Sequence, residues 1–178
     1  MALSEELLPT GAVMGTLTLP SLDAYITAVH GEPRALIPDE VAILAAWGAG
    51  IVAFIRARWP VDTGTSRDNW TFEVNPSPGE MAIIVENEMY YAEFVYRKGD
   101  SSKTPLWSKL IREAWERAKE PLLVDAKAAI DANERRFERE LAQTGNEEEA
   151  LRELFAFRRK RPASHRIAPP PRPDELRP

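Results

Sequence analysis

The chain has no cysteine. Disulfide frameworks, thiolate metal sites and cysteine nucleophiles are therefore excluded. That composition suits synthesis in a reducing cytosol. Histidine is nearly as scarce, with only His30 and His165. Ser-His-Asp chemistry would have to use one of them. His30 falls at the end of a short helix, where it favours the dipole. His165 sits in a proline-rich tail and is given no chemistry. No run of eighteen uncharged apolar residues exists, which argues against a membrane span. The longest apolar stretch, Val41 to Ile55, reads as a buried helix and is followed by Arg56 and Arg58. The start, Met1-Ala2-Leu3-Ser4-Glu5-Glu6, lacks the basic residues of a secretory signal. Net positive charge is missing too: the formal value is −5, which disfavours generic wrapping of nucleic acid. No internal repeat is present.

What remains is ample for a core. Hydrophobic residues make up 44% of 178 positions, enough for one domain with arms. Proline is abundant at 15 residues, much of it in the C-terminal tail.

Residues 1–37 read as an N-terminal arm with one short helix. Gly11, Gly15 and Pro9 make residues 1–19 look extended. Ser21 is the expected cap of a helix from Leu22 to His30, with Leu22, Tyr25, Ile26 and Val29 on one side. Residues 38–120 read as the α+β core. Pro38 suits a first helical turn, with Asp39 and Glu40 at the positive end of the dipole. Val41, Leu44, Trp47, Ile51, Phe54 and Ile55 then keep a helical stripe. Gly48 and Gly50 weaken this helix but permit close packing on a sheet. A cofactor-binding glycine motif would need a preceding strand, and none is expected there.

At Trp59-Pro60 the helix stops. Asp62, Thr63 and Gly64 form a turn, and Ser66 to Asn69 continue the loop or begin a strand. Trp70, Phe72 and Val74 alternate with Thr71 and Glu73, the period of a strand. Asn75 to Glu80 is turn-forming. Met81 to Val85 suits a strand buried on both faces, and Tyr90 to Tyr96 a further strand. Glu86, Glu88 and Glu93 are close enough to suggest a metal or acid/base cluster. No histidine completes such a site, so a solvated or ring-facing acidic row is the better reading, with no cofactor and no enzyme activity.

After a polar loop at Asp100 to Lys103, Thr104 and Pro105 open a helix with Leu106, Leu110, Ile111, Ala114, Trp115 and Ala118 on its apolar face. Trp107 lies off that stripe, as a satellite core contact or an interface anchor. Pro121 should kink or interrupt the helix. Residues 121–157 form a helical extension. Its thin stripe suits either packing on a neighbour or a solvated helix held by Glu/Arg pairs. Asn146 caps Glu147 to Phe157. Residues 158–178 are a basic, proline-rich extended tail. Arg158, Arg159 and Arg161 are candidates to meet an acidic surface or DNA phosphate when the tail is laid on a partner.

One stretch carries a resemblance. A helix ending in Pro60-Val61-Asp62-Thr63-Gly64, with Arg67 after it and Tyr91-Ala92, Phe94 and Val95 about thirty residues later, resembles the minor tail-component (tail-completion, head–tail joining) family of long-tailed bacteriophages. The match covers roughly residues 40–115. Two features depart from the family pattern: Tyr96-Arg97-Lys98-Gly99 stands where Glu then Gly is usual, and Asp68-Asn69 follow the Arg. The resemblance implies a structural virion protein at the neck or upper tail, made in the host cytoplasm. It implies a ring, six copies by tail symmetry, that contacts a connector or stopper, a tail terminator or the tail tube. Genomic DNA passes through such a ring. A tail-terminator ring capping the tube is an alternative. A nucleic-acid-binding module using the basic tail is another. Asp62, Thr63, Gly64 and Arg67 are the expected interface residues in the loop. The negative net charge suits a channel along which DNA slides without sticking.

The expected architecture is α+β: a small antiparallel sheet packed against the 38–59 and 104–120 helices, with C-terminal helices and extended arms at both ends.

Overall fold

A computed structural model describes residues 2–60, 65–90, 92–95 and 104–156. The elements in chain order are strands β1 (Ala2–Leu7) and β2 (Val13–Thr18), and helices α1 (Pro20–His30), α2 (Pro38–Arg58) and α3 (Thr65–Asp68). Strands β3 (Trp70–Asn75) and β4 (Ala82–Asn87), a 3-10 turn (Ala92–Phe94), and helices α4 (Leu106–Thr144) and α5 (Glu147–Ala156) follow. The fold is α+β, with one four-stranded antiparallel sheet ordered β1-β2-β4-β3.

The sheet corrects the reading of residues 1–19 as an arm. Both N-terminal segments are strands, and β2 lies inside the sheet, paired with β1 and β4. Val13, Gly15 and Leu17 face inward, as their alternation in burial shows. Register places Leu3, Leu17, Ile83 and Val74 in one inward row, and Glu5, Gly15, Val85 and Phe72 in the next. Gly15 hides the strand pattern because Ile111 of α4 lies over it, where an added Cβ would come within 2.9 Å of that side chain. On β3, Trp70, Phe72 and Val74 share the inner face as expected, with Thr71 and Glu73 exposed. β4 alternates rather than being buried on both faces: Ile83 and Val85 are inside, while Ile84 and Glu86 are half-exposed.

α2 lies against this inner face. Gly48 has the packing role expected of it, since a Cβ there would stand 2.5 Å from the Phe72 ring. By length and composition α2 is apolar enough to cross a membrane. In the fold its apolar residues are spent on the core: Leu44, Trp47, Ile51, Phe54 and Ile55 are buried between the sheet and α4.

α4 is one helix of 39 residues, about 58 Å long at 1.5 Å per residue. Pro121 does not interrupt it. Removing an intrahelical bond there costs roughly 3 kcal/mol, but Pro121 is exposed, on the solvent side. Ala118, Leu122 and Ala126 bury the opposite face on both sides of it. The expected boundary at residue 121 is therefore not a break. Helix starts also differ from expectation. α1 begins at Pro20 with Leu19 as its cap residue, and Ser21 does not cap it. α4 follows Pro105, without a side-chain cap from Thr104. Asn146 does cap α5: its Oδ1 accepts from the Glu148 and Glu149 amides at 3.1 and 3.4 Å.

Within the chain, the far half of α4 is fastened by a buried ionic cluster. Arg34 donates through Nη1 and Nη2 to both oxygens of Glu40 at 2.8 and 2.9 Å. It also donates through Nη2 and Nε to Glu134 at 2.9 and 3.3 Å. His30 Nδ1 lies 3.0 Å from the other Glu134 oxygen. Asn133 Nδ2 and the Ile37 amide complete the Glu40 carboxylate. Burial opposes the Arg34 charge, but the two carboxylates outweigh it and raise the Arg34 pKa. Ile37, Phe137, Ala150 and Leu154 pack beside the cluster and dock α5.

Candidate assembly surface at the loop end of the sheet

Three connections meet at one end of the sheet, where register aligns Leu7, Val13, Asn87 and Trp70. They are the β1–β2 turn, the segment from α2 to β3 and the segment following β4. Each is tied down by a specific contact. Gly11 sits at φ +81°, where a Cβ would meet the Tyr90 carbonyl at 2.9 Å. Only a residue without a side chain lets the turn lie this close to Tyr90.

The α2–β3 segment is anchored on both sides of its undescribed stretch. Trp59, the last buried residue before Pro60, donates from Nε1 to Ser66 Oγ at 3.1 Å, and its ring meets Trp70 edge-on at 5.1 Å. Arg56 Nη2 donates to the carbonyls of Asp68 and Trp70 at 2.9 and 2.6 Å. Asn87, fully buried at the end of β4, joins the two segments. Its Nδ2 donates to the Ser66 carbonyl at 2.6 Å, and its Oδ1 accepts from the Met89 amide at 3.0 Å. Two buried contacts at Ser66 and one exposed contact at the Asp68 carbonyl thus hold a short helix, α3, in place of the loop or strand start expected at Ser66 to Asn69.

Beyond Asn87 the expected strand from Tyr90 to Tyr96 is absent among the described residues. Ala92–Phe94 is a 3-10 turn instead. Ala92 is fully buried, and the Val95 carbonyl accepts from the Leu106 amide at 2.8 Å. With Ala92 as the pin, the neighbouring aromatics are turned outward: Tyr90 is 66% exposed and Phe94 65%. Leu7, at the same end of the sheet, is 54% exposed. Among the described residues, half of the large exposed hydrophobics gather here. Grouped exposed apolar side chains mark interaction surfaces, whereas scattered ones do not.

The sequence-derived interface residues divide as follows. Asp62, Thr63, Gly64, Arg158, Arg159 and Arg161 lie outside the described residues. Arg67 lies on α3 at this end, half-exposed, with Nε 3.1 Å from the Asp68 carboxylate. Trp107 is a core residue: it is 7% exposed and belongs to the main apolar cluster. Arg67 is therefore at the surface of the loop end, whereas Trp107, next to the Leu106 that bonds Val95, is buried in the core. Sequence reasoning missed Leu7, Gly11, Ser66 and Asn87. A signal existed for Asn87, a polar residue ending an apolar strand. None existed for Leu7 once its segment had been read as an arm.

A second, shallow depression of about 590 Å³ lies between β1 and α4, lined by Leu3, Glu5, Arg112, Trp115, Glu116 and Lys119. Its polar groups are satisfied by one another. Arg112 Nε and Nη2 donate to the two Glu5 oxygens at 2.7 and 2.9 Å, and Ser108 donates to Glu5 at 2.8 Å. Burial raises the Glu5 pKa, but these bonds and the Arg112 charge outweigh burial and leave it below its ordinary value. Among the described residues no group of three or more His, Asp or Glu is placed to hold a metal ion. Glu86 lies on the outer sheet face and Glu88 is exposed beyond the strand end. No family model, curated protein or solved structure matches the chain.

Proposed function

We propose that this chain is a structural subunit of a phage or phage-derived particle, a ring-forming tail-completion or head–tail connector protein at the neck. The observation that carries the reading is the loop end of the sheet. The residues of the family resemblance that fall within the described segments, Pro60, Arg67, Ala92, Phe94 and Val95, all belong to the two segments that Asn87 ties together. The same end presents Leu7, Tyr90 and Phe94 outward. A rigidly anchored end with unburied aromatics is suited to a heterologous contact, in which one patch meets a different patch on the next copy and the rotation closes a ring. In this reading the sheet domains form the annulus, the C-terminal tail reaches beyond its own subunit, and DNA passes through the channel. Asp62, Thr63 and Gly64 belong to the subunit contact.

Electron microscopy of the purified chain, alone and mixed with DNA-filled heads and with tail tubes, tests the proposal. Closed rings that bind the head connector and permit joining to tails support it. Rings that bind only the open ends of tail tubes replace it with the terminator reading. A monomer that binds DNA with steep salt dependence, lost on deleting residues 158–178, replaces it with a nucleic-acid module.

A further inference from the structure

We infer that the outer face of the sheet is the docking surface for the basic C-terminal tail, residues 158–172, of a second copy of this chain. The inference rests on the ring reading for the presence of a second copy.

Charge is the first observation. Residues 158–178 hold seven of the 23 Lys and Arg but two of the 28 Asp and Glu, so the tail carries +5 and residues 1–157 carry −10. Copies of so acidic a body repel one another. A ring therefore needs a cation at the subunit contact, and the tail is where this chain concentrates its basic charge.

The sheet is the second. Among the described residues the helices pack on its inner face, and on the outer face Glu6, Thr71 and Glu73 are exposed while Met14, Thr16, Ile84 and Glu86 are half-exposed. Register places Glu6, Met14, Glu86 and Thr71 in one outward row, and Ser4, Thr16, Ile84 and Glu73 in the next. Glu6 and Glu73 are exposed and Glu86 half-exposed, and none has an ion-pair partner among the described residues. The four strands contain no Lys or Arg at all. Glu6 and Glu86 stand two strands apart, about 10 Å at the usual spacing. An extended chain crossing the strands brings cations of the Arg158-Arg159-Lys160-Arg161 run to both. Met14, Ile84 and the threonines give proline-rich sequence a mildly apolar floor between the carboxylates. Prolines also reduce the ordering entropy that such docking costs.

Geometry favours a second copy over the same one. α5 packs on α4 and on Ile37, so Ala156 lies on the helical side of the sheet. The 22 residues beyond it span up to about 70 Å when extended. That is ample to leave the subunit, whereas docking in cis would require wrapping around a sheet edge.

The test uses full-length chains and sedimentation velocity across a salt series. One variant reverses the face (Glu6→Lys with Glu73→Lys). Another reverses the tail (Arg158→Glu, Arg159→Glu and Arg161→Glu). Each alone should weaken self-association about tenfold or more at low salt, because like charges then oppose. Mixing the two variants should restore association, since each then supplies the complement of the other in trans. Glutamine at Glu6 and Glu73 should weaken association less than lysine does. Wild-type self-association unchanged by either reversal overturns the inference while leaving the ring reading intact. Loss in both variants without recovery on mixing overturns docking in trans. A wild-type chain that never self-associates, alone or with particles, sinks the ring reading itself.

Discussion

Replacing Arg34 by methionine should destabilise the fold by about 3–5 kcal/mol, the usual cost of removing one member of a buried ion pair. The structure fixes where in that range the effect falls. Arg34 supplies four hydrogen bonds to Glu40 and Glu134 and one to the Ala35 carbonyl. The side chains of Glu40 and Glu134 are only 2% and 7% exposed, so water cannot replace the guanidinium. Glu40 keeps the Ile37 amide and Asn133, and Glu134 keeps His30, which holds the loss near the lower end. Against a total stability of roughly 5–15 kcal/mol this is a large fraction. Urea unfolding followed by tryptophan fluorescence measures it. Arg34→Lys should fall between, because it keeps the charge but loses the planar fork. Arg34→Met combined with Glu134→Gln should recover part of the loss, since one unpaired anion is then gone. A loss below about 1 kcal/mol for Arg34→Met would refute the claim that this cluster fastens the far half of α4.

Other outcomes follow from the same physics. Gly48→Ala should lower stability, because overpacking against Phe72 costs about 1–3 kcal/mol and the gain in helix propensity is only about 1 kcal/mol; a thermal melt reads the net sign. Asn87→Ala leaves the Ser66 carbonyl and Met89 amide without their partner and should cost about 1–3 kcal/mol. Hydrogen exchange at Met89 should rise, while exchange in α5 should not. Glu5, with its pKa depressed in the fold, contributes stability that is present above its unfolded value and is lost as pH falls through the lower, folded value. The stability difference between wild type and Glu5→Gln should therefore shrink on acidification below the ordinary carboxylate range, and stay within about 1 kcal/mol because Arg112 is exposed.

The sequence exposed local signals and hid distant ones. α2 was legible from Pro38, its acidic first turn and the stop at Trp59-Pro60. β3 was legible from the strict alternation of Trp70, Phe72 and Val74, and the α5 start from Asn146 and three glutamates. β1 and β2 were not, because Pro9, Gly11 and Gly15 argue against strands unless one knows that Ile111 fills the gap over Gly15. Pro121 argued for a break that its position on the solvent side makes tolerable. Tyr90 to Tyr96 has strand composition, yet burial of Ala92 and the Val95–Leu106 hydrogen bond curl its described part into a turn. The buried cluster was beyond sequence reasoning, since Arg34 and Glu134 stand a hundred positions apart and look like ordinary surface charges. At the loop end, Arg67 is legible as part of the connection between helix and strand, while Asn87 and Leu7 emerge only from pairing register.

The account turns on whether the anchored loop end meets a sister subunit. Cross-linking mass spectrometry on the assembled full-length protein, with a photoreactive analogue in place of Phe94, measures this contact directly. The account predicts intermolecular links from position 94 to a different patch on the adjacent copy, in a closed ring visible by electron microscopy. Links confined to the same chain, from a particle that sediments as a single subunit under all assembly conditions, would contradict it.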